Sequence, residues 1–346
     1  NKMNNFLSKG IATFVVCSLV LGQGSRMGTA SSTQLQIAQG AQYLSGGGAA
    51  SNATGMEAAY WNPAGLAMSG NKVDAIFSYR SYIADIGNNF FGIAAEFGKI
   101  GKIGISARTF NVGDIDETTV FFPDGTGQVF TPTFMVLGAT ISKKLSDRTS
   151  VGLNANWVSE SFGRVSANAL AFDIGVQYRS LMDIEGLNVG FVIRNFGSPV
   201  TYGGEGLGVS AEVPDANRPV EYYKVDAASF DLPFTMDMSA TYAVAGINIG
   251  VTYTSNYYAT DEVCLLGSYS LGDLATVRAG YKLSMAAQEI NTTENKWDYE
   301  NPFDGTSFGG SLNLKNITGI NMSVDYAFIP TAYFDTNQVL ALRFGF

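Results

Sequence analysis

Histidine is absent from this 346-residue chain. Its absence removes the commonest general base, the commonest nitrogen ligand for a metal and the usual physiological pH switch. An acyl-transfer or lipase chemistry, which needs a nucleophile beside a base, loses its ordinary base. Cysteine is nearly absent too: the only two are Cys17 and Cys264. Cys17 falls in an export-type leader, so the exported chain is expected to hold one thiol and no internal disulfide. Charge is scarce, with Asp, Glu, Lys and Arg making up 15% of the chain, against about 25% in an ordinary soluble domain. Its net sign is negative, −9, which argues against a nucleic-acid partner. Beyond the first thirty residues no run of about 18 apolar residues occurs, so helices crossing a membrane are excluded.

What remains is glycine and aromatics: 40 Gly, 23 Phe and 17 Tyr. Low charge, no long apolar run and this composition fit a transmembrane β-barrel, whose apolar residues are spread over alternate positions. Residues 1–30 read as a signal peptide. Lys2 and Lys9 give a positive start, Gly10 to Gly22 an apolar core, and Gly24 or Ala30 a small-residue cleavage region. A lipoprotein reading of Cys17 is set aside, because Val16 is bulky where such sites take a small residue.

After residue 72 the dominant period is two. "GINIGVTYT" sets Ile247, Ile249, Val251 and Tyr253 against Asn248, Gly250 and Thr252, and "SVGLNANW" sets Val151, Leu153, Ala155 and Trp157 against Gly152, Asn154 and Asn156. Such runs predict about 14 strands. Their centres fall near Phe77, Ile93, Ile105, Leu137, Leu153, Phe172, Val189, Met238, Ile249, Leu265, Val277, Leu312, Val324 and Leu342. Most run about 9–11 residues, the length of a tilted membrane-crossing strand. Counted from the first strand, the even connections are short and the odd ones include every long segment: 111–128, 197–232 and 286–304. Short turns on one rim and long loops on the other is the pattern of outer-membrane barrels, with the short turns and both termini periplasmic. The competing reading, a large soluble sandwich or propeller, does not explain that parity or the low charge.

The face opposite the apolar one carries Glu96, Arg108, Asp173, Arg194, Asp237, Arg278, Lys282, Asp325 and Arg343 among Gly, Ser and Asn. Charges of both signs suit a hydrated or hydrogen-bonded interior; at mid-membrane on the lipid side an Arg or Lys costs about 2–4 kcal/mol. The domain reading is therefore 1–30 signal, 31–72 an N-terminal periplasmic hatch segment, and 73–346 an all-β, antiparallel transmembrane barrel.

The hatch segment is too apolar for a free tail, with Leu35, Ile37, Tyr43, Leu44, Met56, Tyr60, Trp61, Leu66 and Met68. Pro63 is expected to end a short helix over 56–60 and to push Asn62 into an extended conformation. Gly46, Gly47 and Gly48 permit close backbone approach. Such a segment, tethered to the first strand, is expected to fold into the barrel mouth as a plug. "LSGGGAASNATGMEAAYWNPAGLAMSG" resembles the N-terminal signature of the PorV/PorQ family of outer-membrane proteins, relatives of the FadL-type barrels. The residues that carry the resemblance are Gly46, Gly47, Ala58, Tyr60, Trp61, Asn62, Pro63, Ala64, Gly65, Leu66 and Ala67. It implies a 14-stranded barrel with a hatch built on Asn-Pro-Ala. It departs from the family in having no acid before Glu57 in "SNATG" and no upstream Arg in "GAQYL", so no family salt bridge resting on those groups is carried over. The terminal Phe344 and Phe346 resemble a barrel-insertion signal.

Three functions compete. The resemblance implies a protein-handling role linked to type IX secretion, with other secretion-complex or surface proteins as partners. The loop aromatics Phe121, Phe122, Tyr222, Tyr223, Trp297 and Tyr299 would then serve as contact anchors, or else belong to an aromatic girdle. A FadL-like channel for hydrophobic small molecules needs a greasy pocket beside the hatch and a lateral opening; Phe90 and Val192 point inward, while the inward charges favour a polar lumen. An enzyme is disfavoured by the missing histidine. No cofactor and no metal are expected; Asp114, Asp116, Glu117, Asp298, Glu300 and Asp304 are oxygen donors without EF-hand spacing. Outer-membrane lipid is the one partner that every barrel reading requires.

Overall fold

The computed structural model describes residues 26, 28–46, 52–211, 221–285 and 301–346. The signal-peptide reading falls almost wholly outside these, as do Gly47, Gly48, Trp297, Tyr299, Asp298 and Glu300. Fourteen antiparallel strands close into one barrel. They are β1 Val73–Ser81, β2 Gly87–Glu96, β3 Lys102–Asn111, β4 Thr133–Lys144, β5 Thr149–Phe162, β6 Val165–Tyr178 and β7 Leu187–Gly197. The second half comprises β8 Thr235–Val244, β9 Ile247–Asn256, β10 Glu262–Leu271, β11 Ala275–Ser284, β12 Gly305–Asn313, β13 Met322–Ile329 and β14 Asn337–Gly345. Each strand pairs with its sequence neighbour. β14 closes on β1 with Asp74 opposite Gly345 and Ser81 opposite Gln338. Every predicted centre lies inside a strand.

The pleat sorts the side chains as the period of two requires. Along β1, Phe77 and Tyr79 are each 47% exposed on the outside, while Ile76, Ser78 and Arg80 are buried inside. Phe91, Ile105, Leu153, Ile249, Leu265 and Leu340 continue the outer apolar skin. Tyr253 is an exception to the outward row that its alternation predicts. It is 4% exposed, with its hydroxyl donating to Asp261 at 2.6 Å. No helix among the described residues is long and apolar enough to cross a membrane.

Connection parity also holds. The even connections are 97–101, 145–148, 179–186, 245–246, 272–274 and 314–321; the long ones, 112–132, 198–234 and 285–304, share the other rim. Small two-stranded ladders brace two of those loops: Ile115–Asp116 with Val129–Phe130, Val200–Thr201 with Ser229–Phe230, and Gly208–Ala211 with Glu221–Lys224.

The lumen is filled by the chain's own N-terminal segment. Its described residues form short helical turns, Thr33–Gln36, Leu44–Gly46, Ala58–Trp61 and Pro63–Met68, the longest of six residues. Two apolar cores hold it. Leu44, Met56, Trp61 and Leu66 pack with Ile76, Phe90 and Val339 of the wall. Leu35 packs with Val136, Val158, Ala169, Val200 and Leu232.

The path of this segment corrects the expectation that it enters from the short-turn side. Its first described residues lie at the long-loop rim. The Gly28 amide donates to the Tyr258 carbonyl at 3.2 Å and the Ser31 amide to the Asp231 carbonyl at 3.0 Å. Ser32 Oγ and Gln34 Nε2 both donate to Glu160 near the end of β5. The chain then descends the lumen and reaches the short-turn rim only at 69–73. The physical reason is Leu35, which is fully buried among residues of the long-loop half.

Candidate functional site

The motif Tyr60-Trp61-Asn62-Pro63-Ala64-Gly65 sits against the inner wall at β5 and β6. The helix Ala58–Trp61 stops at Asn62, whose backbone is extended (φ −161°, ψ 106°), as the following proline requires. The Asn62 side chain does two jobs. Its oxygen accepts from the Ala64 amide at 3.1 Å, capping the next turn. Its Nδ2 donates to the carbonyls of Val176 in β6 and Phe191 in β7, at 3.2 and 3.3 Å. A side-chain amide thus takes up two strand carbonyls that a membrane barrel must satisfy internally.

Two wall glycines make the seat. Gly152 of β5 and Gly175 of β6 are directly opposite in register. A Cβ on Gly152 would lie 2.2 Å from the Pro63 carbonyl carbon, and one on Gly175 would lie 2.0 Å from Asn62 Oδ1. The missing side chains form a groove in which Asn62-Pro63-Ala64 lies. Gly65 serves a similar need: a Cβ there would be 1.7 Å from the Ala53 carbonyl oxygen. Inward glycines inside strands signal close backbone approach. That signal was present in "VGLNANW" and "DIGVQY", although nothing in it says what approaches.

Polar wall side chains receive hatch carbonyls on every side. Ser142 Oγ donates to Ala64 O at 2.9 Å, Asn154 Nδ2 to Ala59 O at 3.2 Å, Gln177 Nε2 to Ala53 O at 2.8 Å, and Arg179 to Met68 O at 3.1 Å. Arg80 Nη1 donates to Ala38 O at 3.0 Å. Within the hatch itself, Trp61 Nε1 donates to Gln39 O and the Tyr60 hydroxyl to Gln36 O, at 2.9 and 3.0 Å. The Tyr60 ring lies between two guanidinium groups, with Arg108 and Arg194 at 5.4 and 5.2 Å from its centroid.

Most of the predicted lumen charges form paired groups. Asp237 holds Arg194 at 2.8 Å, and Asp325 holds Arg343 at 2.5 Å. Asp173, at a bulge between β6 and β7, accepts from Asn154 and Asn156 Nδ2 and from the Asn195 amide. Arg108 reaches the same network through Asn156 at 3.3 Å. Lys282 pairs with Glu262 at 2.6 Å, and Arg278 is half-buried with Nη1 donating to Ser311 at 2.6 Å. Glu96 stands apart: it is exposed at the short-turn rim, so it does not join the interior set. A buried pair that the alternation did not single out is Lys102 with Asp74, at 2.5 Å.

Glu57, in the hatch itself, is 1% exposed. One oxygen accepts a long 3.4 Å bond from the Gln42 amide and the other has no partner. Burial pushes this carboxyl from its ordinary 4.5 up to about 7, with Arg343 pulling it partly back down. Below pH 4.5 it is protonated whether the hatch is folded or not. As pH rises from there towards 7 the unfolded chain ionises first, so stability falls, by about 3 kcal/mol in all. Glu57→Gln is expected to flatten melting temperature against pH between 5 and 8 and to raise it at pH 8. Parallel curves for both proteins would disprove this.

Above the hatch, on the long-loop side, lies a cavity of about 200 Å³. Its floor is Tyr60 and Trp61, edge to face at 5.0 Å; its walls include Tyr82 and Phe303, stacked at 5.6 Å and 8°, with Arg80, Arg194 and Lys282. A second, more polar space of about 500 Å³ opens on the other side of the hatch, around Gln42, Asn52, Asn188 and Asn248. The greasy pocket that a neutral-compound channel predicts is therefore mixed: aromatic, but ringed by cations. Phe90 and Val192, placed inward by the sequence, are buried in packing.

Of the predicted loop anchors, the side chains of Phe121, Phe122 and Tyr223 fall within the described residues. Val120, Phe121 and Phe122 project from one loop, 95%, 88% and 61% exposed. Tyr223 is 48% exposed in the short ladder strand that also contains Tyr222. Among the described residues no three Asp, Glu, Cys or His groups gather as a metal would require. Asp114 accepts a hydrogen bond from Thr131 instead.

No family model and no curated protein matches this sequence. Solved structures match in shape. TbuX, the toluene transporter of Ralstonia pickettii, superimposes with a TM-score of 0.51 at 12% identity, over 94% of this chain and 99% of that one. The toluene transporter TodX of Pseudomonas putida gives 0.50 at 12%, over 87% and 98%. CymD, a monoaromatic hydrocarbon channel, gives 0.50 at 12%, over 94% and 99%. This chain shares with them the fold of a closed antiparallel β-barrel. At such identities the likeness is one of fold alone; all three neighbours are described as transporters or channels.

Proposed function

We propose that this chain is a non-enzymatic outer-membrane conduit for small molecules with an apolar body, which enter from the long-loop side and pause on the hatch. The observation that carries this reading is the cavity seated on Tyr60 and Trp61 and flanked by the Tyr82–Phe303 stack. A concave pocket that sets aromatic rings beside placed polar groups suits small ligands. The names of the fold neighbours, toluene and monoaromatic hydrocarbon channels, point the same way. In this reading the long loops face outside, the short turns and Phe346 face the periplasm, and Phe344 and Phe346 serve barrel insertion.

The resemblance to PorV/PorQ supports a second reading, the handling of exported proteins through the loops. Its specific support is the bare apolar tip Val120–Phe122. One comparison separates the two. Cells lacking their own aromatic channels, given this chain, are expected to take up labelled monoaromatic compounds several-fold faster than cells given an empty vector. Unchanged uptake of every compound would overturn the conduit. Co-purification of a secreted protein, lost on Phe121→Ser with Phe122→Ser, would then put the second reading first.

A further inference from the structure

We infer that the cavity on the hatch receives a small monoanion with a flat apolar body, in class a one-ring aromatic carboxylate, and not a neutral hydrocarbon. This deepens the conduit reading and rests on it only for the route by which the ligand arrives.

The argument starts from charge. The buried acids Asp74, Asp237 and Asp325, and the half-buried Glu262, each have a cation within 2.8 Å. Arg80 is left over. It is 6% exposed, and among the described residues no carboxylate comes within ion-pair distance of it. Its guanidinium lies over the Tyr82 ring at 4.7 Å, and one nitrogen donates to the Ala38 carbonyl. Its Nε has no acceptor. A buried cation with an unmet donor is expensive unless something pairs with it.

Two further polar atoms on residues lining the same cavity are also unmet: Arg194 Nε, whose guanidinium is otherwise engaged by Asp237, and Thr235 Oγ1. The uncompensated Arg80 guanidinium calls for an anion with more than one lone-pair site. A carboxylate supplies that and takes guanidinium groups in a charge-assisted geometry. Among the described residues the lining holds one acid, Glu262, and Lys282 already occupies it. Among those residues the lining is therefore left with one cation without a carboxylate partner, Arg80.

Shape supplies the rest of the ligand. Tyr82 and Phe303 are nearly parallel, and with Leu44, Trp61 and Ile329 they give a flat, apolar surround. At ~30 Å³ of liquid volume per water, 200 Å³ holds the equivalent of about seven waters. One ring with its carboxylate fits within that volume.

The test uses the full chain in lipid nanodiscs, titrated calorimetrically with benzoate and with benzamide, which has the same outline and no charge. Benzoate is expected to bind at least tenfold more tightly than benzamide. Arg80→Met is expected to weaken benzoate at least tenfold while leaving benzamide unchanged, and Arg80→Lys to recover part of the loss. Folding of each variant is read from its heat-modifiable migration on gels. Should Arg80→Met not fold, Thr235→Val is the second variant, with several-fold weaker benzoate binding expected. Equal affinity for the two compounds, no binding of benzoate, or benzoate binding indifferent to both variants would overturn the inference. Binding of benzamide alone would overturn it while leaving the conduit standing, and the uptake measurement decides the conduit separately.

Discussion

Valine at position 152 is expected to unseat the hatch while the barrel stays closed. Gly152 lies on the inner face of β5, directly opposite Gly175 of β6, and Pro63 occupies the space where its side chain would be. The colliding atoms, at 2.2 and 2.4 Å, are the backbone of Pro63 and Ala64, which no rotamer change can move aside. Overpacking of this kind costs about 1–3 kcal/mol. Here the cost falls on the hatch, because the strands on both sides are locked in a closed ladder. Once displaced, the segment also loses the Asn62 bonds to Val176 and Phe191. The expected result is a several-fold rise in ion conductance in planar bilayers, with heat-modifiable migration preserved. Gly175→Val is expected to do less, since its nearest obstacle is the Asn62 side chain. Conductance unchanged in Gly152→Val would show that the seat does not hold the hatch.

Asp173→Ala is the second large effect, and it acts on the wall. This carboxylate accepts from Asn154 at 2.9 Å, Asn156 at 2.8 Å and the Asn195 amide at 2.8 Å, all buried. At this point β6 and β7 slip register, and Asn195 has positive φ. The side chain therefore stands in for a ladder carbonyl that the bulge removes. Its loss leaves two buried donors, Asn156 Nδ2 and the Asn195 amide, without an acceptor, while Asn154 keeps the Ala59 carbonyl, and it removes the negative charge nearest Arg108, at about 3–5 kcal/mol together. A marked fall in the temperature at which the folded band disappears on gels is expected. A shift of a degree or two would mean that water replaces the carboxylate without penalty.

The barrel was legible because a membrane-crossing strand has only two choices for each side chain. Ile249 and Leu265 had to face out and Asn154 and Asp173 in, and every strand centre followed. Loop parity was legible from lengths alone. Of the interior charges, alternation located Asp237 with Arg194 and Asp325 with Arg343 but said nothing of who pairs with whom, and it placed Glu96 inside when the strand ends at the rim. Asn62 could be seen to break a helix. That its amide reaches Val176 and Phe191, more than a hundred residues on, is a tertiary fact with no local trace. The same holds for Arg80: that no carboxylate lies within its reach shows only in the folded interior. The direction of the N-terminal segment was misread for a similar reason, since Leu35 finds its apolar neighbours in β4, β5, β6 and a distant loop.

That direction bears on how the molecule is built. With Gly28 and Ser31 tied at one rim and Val73 starting the first strand at the other, some forty residues run lengthwise through a tube whose last strand seals against its first. Either the cylinder wraps around this thread as it forms, or the thread must be fed through afterwards. Wrapping makes the plug a mandrel for its own container, and the seam between β14 and β1 becomes the final step, closing over cargo already aboard.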